Sequence, residues 1–394
     1  MFAPRLGLAY RPLGSSRLIL RGGYGLYYVS IPWVWGSYQL VRNAPFTAEL
    51  GFEPAGGTTP TLTFADPFPT GEGTNSAASA PSANALPTHY RYPSTHQWNL
   101  TVESQITPNT SVRASYIGNE SEHVTQQFNL NDPVPSAGPV QPNRPYQPFG
   151  PIDLWENGTT ASTQQLQLSV RRRFTSGLSF EGEFSWTKML DTGSYPAGSI
   201  PTDNRNIRYD RGNDSYVRPK YFVGNYTYEL PFGKGRHYLA SASRSLDAIV
   251  GGWQTSGILT IGSGLPFSVN FDSSVEGWPS NRADIVGNPH VSNPSLAQWF
   301  NPAAFALPAQ FAYGNTAPNF LFGPGYFDWD TGIFKKFSLN ERFKLTFRAD
   351  LMNVLNHPNF GNPNNDISNP SQLGTITWAP YSPRAVQFSL RLAF

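Results

Sequence analysis

The chain contains no cysteine, little charge and no long apolar run. Zero cysteine excludes a disulfide scaffold and any thiolate-ligated zinc or iron–sulfur centre. Only 14% of its 394 residues are charged, and 28 basic residues nearly balance 26 acidic ones, so no nucleic-acid or strongly acidic partner is implied. A membrane-spanning helix needs roughly 18–20 consecutive apolar residues, and no stretch supplies them. Long uninterrupted helical windows are also scarce, because 36 glycines and 36 prolines punctuate the chain. What is abundant is aromatic: Trp, Tyr and Phe make up 14%, the reverse of a disordered composition. The glycines have no three-residue period, so the chain is not collagen-like.

The positive signal is alternation of period two, which marks a strand with two different faces. At the C-terminus Val386, Phe388, Leu390, Leu392 and Phe394 share one face, and Ala385, Gln387, Ser389 and Arg391 the other. Leu166, Leu168 and Val170 alternate with Gln165, Gln167, Ser169 and Arg171. Phe343, Leu345 and Phe347 alternate with Lys344, Thr346 and Arg348. The same pattern predicts strands at 5–11, 17–28, 96–106, 110–118, 164–174, 178–188, 220–230, 252–262, 327–337, 342–353 and 385–394. These are about eleven strands, mostly 9–12 residues long, whereas soluble strands average about 5–6. A tilted strand of about 9–11 residues crosses a bilayer.

The connections alternate too. Turns at 12–16, 107–109, 175–177 and 338–341 are short and 231–251 is intermediate; 29–95, 119–163, 189–219, 263–326 and 354–384 are long. Transmembrane barrels have this form, with tight periplasmic turns and long extracellular loops. Tyr27, Tyr28, Trp33, Trp35, Trp98, Trp186, Trp253 and Trp329 lie near strand ends, as an interfacial aromatic girdle would. The predicted fold class is therefore all-β: part of an antiparallel transmembrane β-barrel with short periplasmic turns and long extracellular loops. The competing reading is a soluble all-β module that binds carbohydrate through its aromatics.

Several motifs then resemble one family. Phe2-Ala3-Pro4-Arg5-Leu6-Gly7-Leu8-Ala9-Tyr10 and Arg21-Gly22-Gly23-Tyr24-Gly25-Leu26-Tyr27-Tyr28 look like paired barrel strands of TonB-dependent outer-membrane receptors, most of all the Oar-like subgroup. Tyr228-Glu229-Leu230-Pro231-Phe232-Gly233-Lys234-Gly235 with Gly251-Gly252-Trp253-Gln254 is similar to a second signature of that group. Phe347-Arg348-Ala349-Asp350-Leu351-Met352-Asn353-Val354-Leu355-Asn356-His357-Pro358-Asn359-Phe360-Gly361 is similar to a third. The resemblance implies that Val386, Phe388, Leu390, Leu392 and Phe394 form the terminal strand read by the outer-membrane assembly machinery. Family members carry a signal peptide, a TonB box, a plug and about 22 strands. The sequence shows none of the first three and about half the strands. Residues 1–394 are thus expected to be the C-terminal part of a receptor barrel. Its expected partners are outer-membrane lipid, the assembly machinery, an extracellular nutrient and, through the missing plug only, the TonB energy-coupling complex. The edges at 5–11 and 385–394 are expected to lack strand partners within this chain.

No catalytic, cofactor or metal site is expected, and the chain does not read as an enzyme. His89, His96, His123, His237, His290 and His357 form no metal-binding spacing, and no G-x-S-x-G elbow occurs. Arg171, Arg173, Arg348 and Arg391 are expected to face the lumen, and to pair there with plug or lumen carboxylates. Asp203, Arg205, Arg208, Asp210, Arg211, Asp214 and Arg218 form a mixed-charge cluster at the extracellular rim. It reads either as an ion-pair network or as a contact for a polar ligand.

Overall fold

A computed structural model describes residues 2–12, 17–30, 41–43, 64–65, 80–193, 200–338, 340 and 342–394. Trp33, Trp35 and most of the first long loop lie outside the described residues. Eleven long strands follow one another in a single antiparallel path. They are β1 (Arg5–Tyr10), β2 (Leu18–Tyr28), β3 (Ser94–Thr107), β4 (Thr110–Asn129), β5 (Ile152–Thr175) and β6 (Leu178–Asp191). Then come β7 (Lys220–Glu229), β8 (Trp253–Gly262), β9 (Tyr326–Ser338), β10 (Lys344–Met352) and β11 (Ala385–Ala393). Two short strands, Ala83–Ala85 and Gly212–Asn213, pair at its margin and bring the sheet to 13 strands.

All eleven strands expected from alternation are present. The pairing register keeps like faces together. Val102, Ala114, Leu168, Phe184, Phe222 and Ile261 stand side by side in one row across six strands. The adjacent row holds Glu103, Arg113, Ser169, Glu183 and Val223, and Arg113 pairs with Glu183 at 3.6 Å. One face is therefore nearly continuous hydrocarbon and the other largely polar. Phe388 and Leu390 remain 70% and 67% exposed, which is the accessibility of a lipid-facing surface rather than of a protein core.

Two strands outrun expectation. β4 extends to Asn129 and β5 begins at Ile152, so much of 119–163 is a hairpin rising beyond the bilayer-spanning rows rather than an irregular loop. The ladder is interrupted by bulges between Ser121 and Thr125, where His123 adopts φ 57°. Bulges concentrate at barrel rims, where they change strand direction. Trp253 opens its strand, whereas Trp98, Trp186 and Trp329 lie a few residues inside theirs.

The sheet does not close. Among the described residues, β1 and β11 each have only one strand neighbour. Because eleven successive strands alternate in direction, these two run the same way. Joining them directly would make a parallel seam, against the antiparallel rule of membrane barrels.

The buried apolar core lies elsewhere. Of 13 buried hydrophobic residues described, all but Phe128, Leu154 and Ala349 belong to connections at the long-loop end. Phe267, Val269, Ala283, Phe300, Ala304, Phe305, Leu321 and Leu373 form one cluster. Three two-residue ladders frame it: Pro266–Phe267 with Leu321–Phe322, Asn270–Phe271 with Asn281–Arg282, and Asp284–Ile285 with Phe305–Ala306. The last long loop completes it, with Asn270 N donating to Asn365 O at 2.9 Å and Trp299 N to Gly374 O at 2.7 Å. The long loops thus fold into a cap with a core of its own.

Candidate functional site

A cavity of about 740 Å³ lies at the long-loop end, between the upper β4–β5 hairpin with its 130–145 turn and the 204–207 loop. Phe128 and Leu154, opposite each other on β4 and β5, provide its apolar wall. Asp132, Glu156, Asn204 and Arg205 supply polar groups. The Asn204 Nδ2 donates to Asn129 O at 2.9 Å, while its buried Oδ1 has no hydrogen-bond partner. A neighbouring hollow of about 330 Å³ is polar, lined by Gln126, Thr202, Asp210, Asn270, Asn281 and Arg282. An apolar wall with a few convergent polar groups is the usual composition of a small-molecule site.

Two arginines hold the walls in place. Arg205 Nη2 lies 3.0 Å from Asp203 Oδ1, and the same guanidinium donates to Asp132 O at 3.2 Å and to the Tyr313 hydroxyl at 3.2 Å. Arg205 therefore joins three loops at the cavity. Arg282 is the more buried latch. Its Nη1 meets Asp210 Oδ1 at 2.8 Å, Nη2 donates to Tyr209 O at 2.6 Å, and Nε donates to Thr316 O at 3.0 Å. Its guanidinium also lies 3.9 Å from the Tyr209 ring centroid, a cation–π contact. Asp210 accepts from Thr202 N at 2.7 Å and Thr202 Oγ1 at 2.8 Å, so its carboxylate is well supplied with donors.

The predicted rim cluster separates into these roles. Asp203 and Arg205 pair with each other, but Asp210 pairs with Arg282, some seventy positions along the chain. Arg211 donates to Thr160 and Ser162 hydroxyls, and Arg218 donates to Ser263 O at 2.5 Å and lies over Tyr326. Asp214 is buried and accepts from Tyr216 N at 2.8 Å; the Arg208 side chain is exposed. The cluster thus acts mainly as loop-to-loop ties. Arg282, Tyr209, Tyr313 and Asp132 complete it, and no local pattern in the sequence marks them.

The four candidate lumen arginines share the polar face. Arg171 stands opposite Glu181, Arg391 opposite Thr346, and Arg348 pairs with Asp350 at 2.8 Å. Arg173 continues the same face of β5, two residues beyond Arg171, and is exposed. The Arg348–Asp350 pair is largely exposed and contributes little stability, about 0–1 kcal/mol. The C-terminal set Val386, Phe388, Leu390, Leu392 and Phe394 is exposed on the apolar face.

Burial sets the proton affinity around the cavity. It pushes the Tyr313 phenol up to about 12, reinforced by the Asp203 charge, and this hydroxyl accepts from Arg205 Nη2 at 3.2 Å. Burial also raises the Asp132 carboxyl, against the opposing pull of Arg205 and Arg144. An acid whose folded-state value is raised binds its proton more readily in the folded loop. That group's contribution to loop stability therefore falls as pH rises from 3.8 through the folded value. Hydrogen exchange of residues 130–136 is expected to be less pH-dependent over this window in Asp132→Asn than in the native chain. Identical pH dependence in both would refute this assignment.

Long strands with an apolar outward face, an alternating polar face and long loops gathered at one end define an outer-membrane β-barrel architecture. The model of the outer membrane beta barrel domain family matches residues 1–387, and the chain belongs to that family. It is accordingly an outer-membrane protein in contact with lipid. Its fold is similar to that of the outer membrane transporter YddB from Escherichia coli, at 13% identity and TM-score 0.53, over 99% of this chain and 40% of that one. Weaker likenesses are to the FrpB iron transporter from Neisseria meningitidis (9% identity, TM-score 0.47, 99% and 39% of the two chains) and to the ferric enterobactin receptor from Pseudomonas aeruginosa (13%, 0.47, 99% and 40%). The chain spans about 40% of the length of the transporter it resembles. No curated protein matches it significantly. Family membership favours the membrane barrel over the soluble carbohydrate-binding module.

Proposed function

We propose that residues 1–394 are the C-terminal part of a TonB-dependent receptor barrel of the Oar-like subgroup, and that the cavity beside the β4–β5 hairpin binds an extracellular nutrient before uptake. The carrying observation is the preformed cavity between the β4–β5 hairpin and the 204–207 loop, whose walls are tied together by Arg205. Loops ordered in this way lose little conformational freedom on binding a ligand, which favours affinity. In the intact receptor, energy would arrive from the inner-membrane proton gradient through a plug and the energy-coupling complex. The unpaired edges of β1 and β11 support the idea that further strands complete the barrel, because an unpaired backbone group in lipid costs several kcal/mol. In this reading Arg171, Arg173, Arg348 and Arg391 face the lumen and meet carboxylates there, and the rim ties shape the ligand cavity.

Fractionation tests the membrane-receptor reading. Expressed with an export signal, the chain is expected in the outer-membrane fraction and to require detergent for extraction. Phe394→Ala, which alters the proposed assembly signal, should lower the folded, membrane-inserted fraction severalfold. A monodisperse chain in detergent-free buffer would sink the proposal, and an unaffected Phe394→Ala would remove the assembly role.

A further inference from the structure

One connection at the short-turn end is anomalous. The others run 11–17, 108–109, 176–177 and 339–343, whereas β7 and β8 are joined by 230–252. This segment contains a short helix, α1 (Arg244–Val250), whose first turn is capped by the Ser243 hydroxyl accepting from Leu246 N at 3.3 Å.

The seat of α1 is set by Lys335. Trp253, Lys335, Phe347 and Leu390 lie in one row across β8, β9, β10 and β11, on the apolar outward face. A lysine there would be costly without partners, and Lys335 is only 4% exposed. Its Nζ donates to Ala248 O at 2.6 Å and Ile249 O at 3.2 Å, the last carbonyls of the helix. The Trp253 indole N–H donates to Ile249 O at 2.8 Å, and the ammonium lies 5.6 Å from the Trp253 ring. The helix end is therefore fastened to the lipid side of the wall rather than to the lumen.

The surface presented there is both apolar and basic. Phe232, Tyr238, Leu239, Leu246 and Ile249 are exposed, Ile249 by 70%. Phe232 and Tyr238 stack at 5.5 Å. Leu239 is held outward at φ 61°, a left-handed conformation that a residue with a Cβ seldom adopts. Lys234, Arg236 and Arg244 are exposed beside them. Arg236 pairs with Glu229 at 3.0 Å, whereas Lys234 and Arg244 have no carboxylate partner among the described residues. The one acidic side chain of the helix, Asp247, is turned inward to accept from Lys234 N at 2.6 Å.

We propose that segment 231–251 is an interfacial foot that binds the anionic phospholipid headgroups of the periplasmic leaflet. Its aromatic and aliphatic side chains enter the headgroup boundary, and Lys234 and Arg244 meet the phosphodiesters. The position follows from the short-turn end facing the periplasm, and the choice of an anionic lipid follows from the two unpaired cations.

Native mass spectrometry of the full chain in detergent tests this, with dioleoyl phosphatidylglycerol and dioleoyl phosphatidylcholine as probes. The chain should retain phosphatidylglycerol preferentially, by roughly tenfold or more for two cations. Raising the salt concentration before transfer should abolish the preference in the native chain. The double variant Lys234→Gln with Arg244→Gln should lose it as well, and Ile249→Asp should weaken retention of both lipids. Lys188→Gln, at the opposite end of the barrel, should leave the preference unchanged. Equal retention of the two lipids by the native chain would overturn the proposal. So would a preference that survives the double variant, which would point to lipid bound elsewhere on the wall.

Discussion

Replacing Arg282 with alanine is expected to release the loop cap from the rim while leaving the barrel strands intact. The side chains of Arg282 and Asp210 are only 8% and 13% exposed, so solvent does not screen the pair strongly. Removing one member of a buried pair typically costs 3–5 kcal/mol, because the other charge stays desolvated. Here Asp210 keeps two donors from Thr202, which places the expected loss at the lower end, about 3 kcal/mol. The loss is local. Hydrogen exchange in 203–213 and 280–285 should accelerate by roughly a hundredfold at that cost, while β7 and β8 remain protected. Arg282→Lys is an informative companion, since an ammonium cannot reproduce the three-way fork to Asp210, Tyr209 O and Thr316 O. It should recover part of the protection. If Arg282→Ala left exchange unchanged, the latch would be structurally idle and the cap would be held by its apolar core alone.

The second large effect is expected at Asn131, which is completely buried. Its Nδ2 donates to Tyr146 O at 3.0 Å, Phe149 O at 2.9 Å and Gly150 O at 2.7 Å, and its Oδ1 accepts from Tyr146 N at 2.7 Å. One side chain thus pins the turn that returns β4 to β5 beside the cavity. Asn131→Ala would strand several backbone groups at once. At about 1–3 kcal/mol for each buried group left unsatisfied, and with water reaching some of them, a loss of about 3 kcal/mol is expected. Limited proteolysis should then cut within 132–149 much faster than in the native chain, with the strands uncut. Asn131→Asp should be nearly as damaging, because it replaces the donating amide with acceptors that face three carbonyls. Unchanged cleavage in both variants would show that the turn is held by other bonds, such as Arg144 Nη1 to Asn131 O at 2.7 Å.

These two residues also mark how far the sequence carries. The eleven strands are legible because alternation is a local signal: each membrane-crossing segment must show lipid one face and lumen the other, whatever its neighbours do. The terminal run Val386, Phe388, Leu390 and Leu392 shows this without reference to any contact. Register followed for the same reason, since a one-residue slip would turn Leu168 to the lumen and Ser169 to lipid. The upper halves of β4 and β5 were not legible, because above the bilayer neither face meets lipid and the alternation fades into Asn, Glu, Gln and Thr.

The site was legible only in part. The charge cluster at 203–218 stands out in the sequence, but its main counter-ion does not. Arg282 lies beyond two intervening strands in a Pro- and Asn-rich connection, and Asn131 follows a strand as one asparagine among many. The sequence by itself determined what each segment could face, through composition and period. Tertiary structure alone decided which loop met which, because irregular backbone satisfies its polar groups by long-range hydrogen bonds that carry no period. It also decided that, among the described residues, the loops rather than the sheet enclose most of the apolar core: the strands' hydrocarbon faces outward to lipid, while the cap has an interior of its own.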